Sequence, residues 1–234
     1  PVSSETITVT AAEGTNYLGA TATISVTVQA NPSTPTITVA NADGSVASNT
    51  WSNKDLSITI GGSTIGGNEA NVGYKYSYDG STWYVYNGTI AYTTETQDAV
   101  IYAKAYNKLA ESAESSTVSY NIKLDKTAPT CTITADKTSP TNAESITYTF
   151  TFSKDVTDFT ADDVTVTNGT KGTFSGSGKD YTLVVAYDAD GEQKVKVNAG
   201  VCQDSKGNLN RESNEININV MVLSGISVKA WAKI

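Results

Sequence analysis

Apolar and polar residues alternate with a period of two along almost the whole chain. Such alternation predicts β-strands that turn one face to a core and the other to water. No segment has a convincing helical period, and the nearest, Asn107–Ser115, lacks apolar partners one helical turn apart. The pattern therefore predicts an all-β protein. The alternating runs are Ile24–Val28, Ile37–Val39, Leu56–Ile60, Val72–Tyr78, Val100–Tyr102, Val118–Leu124, Cys131–Ile133, Ile146–Phe152, Val164–Val166, Tyr181–Tyr187, Val195–Val197 and Ile216–Val220.

Turn-forming dipeptides separate these runs. Asn or Asp followed by Gly favours the tight turns that join neighbouring strands. Short strands at this spacing, without helices between them, are typical of β-sandwiches. The dipeptides are Asp43–Gly44, Asp79–Gly80, Asn87–Gly88, Asn168–Gly169 and Asp190–Gly191.

Two proline-containing junctions divide the chain into repeats. After Asn31 the sequence reaches Pro35–Val39, and after Asp125 it reaches Pro129–Ile133, which begins in the same way. A repeat with a period near one sandwich indicates tandem domains. We expect two complete β-sandwiches, at residues 34–125 and 126–221.

The two flanking segments are too short to form a sandwich. Residues 1–33 hold two or three strands, so we expect them to be the C-terminal strands of a preceding domain. This pattern indicates a fragment or a processed product. Residues 222–234 alternate at Ile226–Val228 and contain Trp231. They are either a linker or a strand that pairs with the exposed sheet edge of a neighbour.

The amino-acid composition excludes several classes of catalytic and metal-binding site. The 234 residues include no His, which excludes His-dependent nucleophile systems and His-ligated metals. The net charge is −8 and Arg211 is the sole Arg, so no basic footprint for nucleic acid exists. No apolar run reaches the ~18–20 residues of a membrane span, and we expect no membrane insertion.

Paired carboxylates are the remaining catalytic candidates. Asp162 and Asp163 are adjacent, and Asp188 and Asp190 are close together. Adjacent strand residues point to opposite faces, so Asp162 and Asp163 could not both face one substrate. The sequence shows no insertion long enough to form a cleft, and we expect no enzymatic activity.

Several motifs resemble the bacterial immunoglobulin-like (Big-type) tandem repeats of surface and adhesin-like proteins. In the first predicted sandwich the resemblance rests on an opening strand pair, a tyrosine-rich hairpin that leads to a Trp, and a junction. In the second it rests on two strands and an Asp–Asn loop, and Thr6–Val28 resembles the end of a third repeat. The motifs are Trp51–Ile58, Tyr74–Trp83, Lys123–Thr130, Phe150–Val156, Phe159–Val166 and Asp204–Asn208.

The resemblance implies tandem immunoglobulin-like (Ig-like) sandwiches in an extracellular or cell-surface protein. Such repeats act as non-catalytic stalks or adhesion segments of exported bacterial surface proteins. Similar modules decorate phage virions or accompany secreted glycoside hydrolases as accessory carbohydrate-binding modules. The partners implied are a host-surface protein or glycan, or neighbouring repeats or subunits. Fold alone does not choose among these roles.

The two cysteines are expected to form a disulfide within the second sandwich. In the Ig-like topology the first strand and the loop between the last two strands meet at one end. Cys131 begins that first strand and Cys202 enters that loop, so the fold implied by the resemblance brings them together. The alternative is two unrelated buried thiols.

Calcium is the one cofactor that the sequence leaves open. Asp125 lies at the junction, and Asp136, Asp204 and Asn208 are expected near the same end of the second sandwich. Oxygen ligands from a junction and a loop could bind Ca²⁺. The alternative is that these Asp and Asn side chains make turns without metal.

An aromatic surface is the candidate ligand site. Trp83, Tyr84 and Tyr86 lie close together beside the Asp79–Gly80 turn. Aromatic rings on a flat sheet face can stack on sugars, and Tyr is an efficient interface residue. The alternative is that these rings fill the core or make cross-strand pairs.

Overall fold

A computed structural model describes residues 3–15 and 18–221 of the chain. The chain divides into two compact units, Pro1–Asp125 and Lys126–Ile234. The described residues of the first unit form twelve strands: β1 (Ser3–Ala11), β2 (Ala20–Val28), β3 (Thr36–Asn41), β4 (Gly44–Ser45), β5 (Trp51–Ser52), β6 (Leu56–Gly61), β7 (Val72–Ser77), β8 (Tyr84–Val85), β9 (Ile90–Tyr92), β10 (Thr96–Asn107), β11 (Ala110–Glu114) and β12 (Val118–Leu124).

Strands β1 and β2 form a separate two-stranded antiparallel ribbon. Strict alternation gives the ribbon a threonine face and an aliphatic face. Ile7 pairs with Ile24 on the aliphatic face, where Ile7, Val9 and Ile24 are each more than half exposed. A lone two-stranded ribbon is marginally stable in water, so this face needs a covering partner.

The remaining strands of the first unit form a β-sandwich. One sheet has the order β5-β12-β10-β7-β8, with β11 on β10, and the other has the order β4-β3-β6-β9. The inward residues of both sheets make one core cluster, which includes Val39, Ile58 and Ile101 at 1% exposure or less. The period-two pattern therefore sets which face of each strand is buried.

The described residues of the second unit form seven strands and one short 3-10 helix, Ala161–Asp163. Two antiparallel sheets, β13-β14-β16 with β18 on β14 and β15-β17-β19, form a second sandwich. The prediction of an all-β chain of tandem Ig-like sandwiches is confirmed. The strands are β13 (Cys131–Ala135), β14 (Ser145–Thr157), β15 (Val164–Thr167), β16 (Thr170–Ala186), β17 (Gly191–Val197), β18 (Gln203–Asp204) and β19 (Ile216–Val220).

Phe159 lies at the centre of the aromatic core of the second sandwich. Its ring contacts four others, at centroid distances between 5.0 and 5.7 Å. All four contacts are edge-to-face, the geometry that aromatic quadrupoles prefer. The four partners are Phe150, Phe152, Phe174 and Tyr181.

Strand β16 folds back on itself as a hairpin. The hydroxyls of Ser175 and Thr182 lie 2.9 Å apart across it. Gly176 and Gly178 adopt φ of +129° and +67° at the tip, values that favour glycine. The alternating run predicted at Tyr181–Tyr187 thus corresponds to one arm of the longer strand β16.

Two local expectations differ from the structure. Asp162 and Asp163 lie in the 3-10 helix rather than in a strand, because the Asp163 carboxylate accepts hydrogen bonds from the Thr160 backbone N–H and hydroxyl. The argument from opposite strand faces therefore does not hold for this pair. Residues 222–234, predicted to be a linker or strand, lie outside the described residues.

Candidate functional site

A row of tyrosine rings follows the edge of the first sandwich where β7, β8 and β9 come together. The ring centroids of Tyr84 and Tyr76 are 5.6 Å apart, those of Tyr76 and Tyr78 are 5.7 Å apart, and those of Tyr78 and Tyr92 are 6.2 Å apart. Tyr84 and Tyr76 are cross-strand partners, whereas Tyr92 comes from the opposite sheet. The row therefore bridges the two sheets.

An open groove of about 640 Å³ lies at the Tyr92 end of this row. Its walls combine aromatic rings, threonines and two carboxylates. The described residues that line it include no Lys or Arg. The lining residues that matter most are Tyr78, Asp79, Tyr92, Asp98 and Tyr102.

Asp79 is held by the turn that it begins. One carboxylate oxygen accepts hydrogen bonds from the backbone N–H groups of Ser81 and Thr82, both at 2.7 Å, and from the Ser77 hydroxyl at 2.9 Å. These bonds stabilise the charged form, and the pKa of Asp79 lies far below its usual value. Asp79 therefore stays ionised and fixed in place.

Tyr78 keeps its proton. Burial raises the pKa of its hydroxyl, and the neighbouring Tyr76 and Tyr92 raise it further. Its side chain is nevertheless 44% exposed. Tyr78 thus presents both an apolar ring and a hydroxyl that donates and accepts hydrogen bonds.

The structure does not place Trp83, Tyr84 and Tyr86 on one surface. Tyr84 and Tyr86 point to the inner side, where Tyr84 contacts Tyr76 and Tyr86 contacts Tyr74. Trp83 points to the outer side, where the Lys104 ammonium lies 4.2 Å from its ring centroid. Alternation along the short strand β8 accounts for this division, because neighbouring strand residues face opposite ways.

Cys131 and Cys202 are both buried free thiols of the same core cluster. Burial, and then the charge of Cys202, raises the pKa of Cys131 to about 12. Burial, followed by Asp163 and Asp158, raises the pKa of Cys202 to about 11. The disulfide stays a prediction.

Asp204 and Asn208, two of the predicted calcium ligands, share one buried loop. Asp204 accepts hydrogen bonds from the backbone N–H groups of Lys206 at 2.8 Å and Asn208 at 3.0 Å. The Lys154 ammonium lies 3.1 Å from its other oxygen and also donates to the Thr127 carbonyl at 2.6 Å. An ammonium therefore already supplies positive charge at Asp204.

Burial alone would raise the pKa of Asp204. The hydrogen bonds from Asn208, Lys206 and Lys154 outweigh that effect, and the pKa is lowered. The carboxylate is therefore charged at neutral pH although its side chain is only 4% exposed.

Of the other two predicted calcium ligands, Asp136 lies apart from the Asp204–Asn208 loop. Asp136 accepts a hydrogen bond from the backbone N–H of Thr147, near the start of β14, whereas Asp204 pairs with Val156 near the end of β14. Asp125 belongs to the first unit, where its N–H donates to the Ser52 carbonyl. Among the described residues no group of three or more His, Cys, Asp or Glu could hold a metal. Calcium binding stays a prediction.

Sequence reasoning did not assign Tyr78, Tyr92, Tyr102 and Asp98 to one site. The alternation of β10 places Tyr102 on the outer face of its strand, and the Asp79–Gly80 turn packs beside that ring. Tyr92 reaches the groove from another sheet. The available signal was the density of tyrosines between positions 74 and 102.

Comparison with known proteins finds a family model that matches the second sandwich. Residues 125–220 match the model of a family described as bacterial Ig-like domain. This match covers less than half of the chain and agrees with the resemblance that the sequence motifs predicted.

No curated protein matches the chain. A solved structure of FdeC, described as a broadly conserved adhesin of Escherichia coli, is 14% identical, with 85% of this chain and 68% of that chain covered. Its TM-score is 0.41, so this likeness carries no argument about function. Within the described residues, no helix has the length and apolar character needed to cross a membrane.

Proposed function

We propose that the protein is a non-catalytic Ig-like stalk or adhesion segment of an exported bacterial surface protein. The observation that carries this proposal is the succession of two Ig-like sandwiches, the second of which matches the bacterial Ig-like domain family. Modules of this kind hold a functional surface at a distance from the structure that anchors them. The acidic, Thr- and Ser-rich composition is consistent with a solvated exterior.

The ribbon β1–β2 supports a larger tandem array. Its aliphatic face, with Ile7, Val9 and Ile24, has the pattern of strands that normally face a sandwich core. In our proposal residues 1–33 are the C-terminal strands of a preceding Ig-like repeat, whose other sheet covers this face. The chain then represents successive modules of one stalk.

Cell-surface labelling tests the proposed role. Antibodies raised against residues 34–221 are applied to intact and to permeabilised cells of the bacterium that makes the protein, and brief protease treatment of intact cells follows. We expect equal labelling before and after permeabilisation, and loss of the signal on protease treatment. Labelling restricted to permeabilised cells, or to purified phage particles, would contradict the proposal.

A further inference from the structure

The groove beside Tyr78 combines features that point to one class of ligand. It has a volume of about 640 Å³, within the ~300–1,000 Å³ typical of small-molecule sites. Tyrosine rings form one wall, and Asp79 and Asp98 contribute carboxylates. We propose that this groove binds a neutral glycan, with a sugar ring stacked on the tyrosine wall and its hydroxyls bonded to the carboxylates. The proposal rests on the proposed surface function and names its ligand class.

The rings suit a ligand that stacks on a single aromatic face. Tyr78 and Tyr92 both line the groove, their ring centroids lie 6.2 Å apart, and their planes are inclined at 50°. No group fits between rings that already touch, so a ligand stacks on one of them from the side of the groove. The C–H face of a pyranose can cover one such ring. An ammonium cage instead surrounds a cation with several ring faces, and hexalysine is the probe for that alternative.

The hydrogen-bonding groups match sugar hydroxyls. A carboxylate accepts from two adjacent hydroxyls at once, and bonds to a charged acceptor are stronger than neutral ones. Asp98, which is exposed, is the carboxylate for this role. The turn of Asp79 occupies one of its oxygens with three hydrogen bonds and the other with the Thr82 hydroxyl, so Asp79 can accept one further bond through Oδ2. The Tyr78 hydroxyl, still protonated, can donate or accept at the same place.

The negative charge of the groove favours neutral glycans over anionic ones. Asp79 and Asp98 face the groove, and the described lining residues supply no cationic side chain. The whole chain carries a net charge of −8. Sialylated or sulfated glycans would therefore be repelled, whereas neutral ones would not.

The test uses the 234-residue protein and a panel of oligosaccharides. The neutral probes are hexasaccharides of glucose, mannose, galactose and xylose, and the charged probes are sialylated and sulfated oligosaccharides and hexalysine. Binding is detected on immobilised probes and measured by titration calorimetry. We expect one or more neutral hexasaccharides to bind, and the charged probes to bind more weakly or not at all.

Four variants locate the site. Loss of one stacked ring costs about tenfold in affinity, so Tyr78→Ala should weaken binding by about that factor. Asp98→Asn removes an exposed charge without disturbing the core and should also weaken binding. Tyr84→Ala is the matched control, because Tyr84 has similar exposure, 50%, and lies outside the groove. Trp83→Ala tests the outer face, and melting temperatures confirm that each variant folds.

The outcomes separate the two proposals. Binding that fails in Tyr78→Ala and Asp98→Asn but survives in Tyr84→Ala and Trp83→Ala supports the groove. Binding lost in Trp83→Ala and retained in Tyr78→Ala overturns it, as does tighter binding of hexalysine or no binding of any neutral probe. If intact cells display the protein but no glycan binds, the glycan inference fails while the proposed surface function stands.

Discussion

Lys154 and Asp204 form an ion pair in which the carboxylate is buried and the ammonium is partly exposed. Removing one partner of such a pair leaves the other uncompensated in a poorly solvated place, which costs more than the pair itself contributes. Asp204 is also the acceptor for three groups of its own loop. Ionised Asp204 therefore holds the Asp204–Asn208 loop in order, and protonation of Asp204 would weaken these hydrogen bonds.

This coupling predicts acid sensitivity of the second sandwich. The pKa of Asp204 is lower in the folded protein than in the unfolded chain, so its contribution to stability is complete above the unfolded pKa of about 4. The contribution is lost as the pH falls through the folded pKa. We expect the free energy of unfolding, measured with urea between pH 6 and pH 2.5, to fall more steeply than in Asp204→Asn.

The control for this experiment is Asp162→Asn, which removes an exposed carboxylate from the same unit. It should keep the pH dependence of the wild-type protein. An Asp204→Asn protein with an unchanged pH profile would contradict the assignment. The loss of loop hydrogen bonds should also destabilise Asp204→Asn at pH 7 by about 1–3 kcal/mol.

At the scale of elements, the hairpin of β16 depends on its glycines. A Cβ atom at Gly176 would lie 2.3 Å from the Asp180 carbonyl oxygen, which is backbone and cannot move aside. Gly200 also has positive φ, +78°, but a Cβ atom there would meet nothing within 4 Å. An alanine at Gly176 therefore meets both a steric clash and an unfavourable backbone conformation, whereas an alanine at Gly200 meets only the unfavourable conformation.

We expect Gly176→Ala to destabilise the second unit by more than 2 kcal/mol, on the order of a severe backbone clash. Gly200→Ala should cost about 1 kcal/mol, the penalty for an alanine in the left-handed region. Thermal unfolding of both variants provides the comparison. Equal shifts of the melting temperature would show that the tip of the hairpin relaxes freely.

The strands also show which features of the fold the sequence pattern predicts. Period-two alternation located the strands and their buried faces, because side-chain direction in a strand depends only on position. It did not reveal the first arm of β16, where glycines replace the apolar residues of the pattern. The sequence argument also placed Asp163 in a strand. The capping interaction of Asp163 with Thr160 is a local polar contact, and the spacing of apolar residues does not indicate such contacts.

The candidate site was predictable only in part. Tyr78 and the Asp79–Gly80 turn belong to one hairpin, so sequence reasoning could place them together. Tyr92 meets Tyr78 across the space between two sheets. That meeting depends on sheet order and register, which no local pattern encodes. Likewise, Asp136 and Asp204 were expected near one end, and only their partners along β14 place them apart.

For the whole molecule, the predicted disulfide would make the two units respond differently to redox conditions. Both cysteines belong to the second unit. A Cys131–Cys202 bond would stabilise that unit by about 4 kcal/mol in the chain-entropy model and leave the first unit unchanged. In calorimetry of protein produced under oxidising conditions, reductant should therefore lower one transition, the same one that Gly176→Ala lowers.

The double variant Cys131→Ala with Cys202→Ala provides the control, since its transitions should not respond to reductant. Alkylation in denaturant without reductant gives an independent measurement. If it labels both thiols in the oxidised preparation, the disulfide prediction is wrong. The high pKa values of the buried thiols imply that any bond forms during folding, before the thiols are enclosed.

The Lys154 ammonium has a consequence for where such a module can work. A cation tethered by its own side chain stays beside Asp204 at a fixed effective concentration. Chelators do not strip it and dilution does not release it. The Lys154 ammonium is therefore a permanent counter-charge for this loop, and acidity acts on the loop through protonation of Asp204.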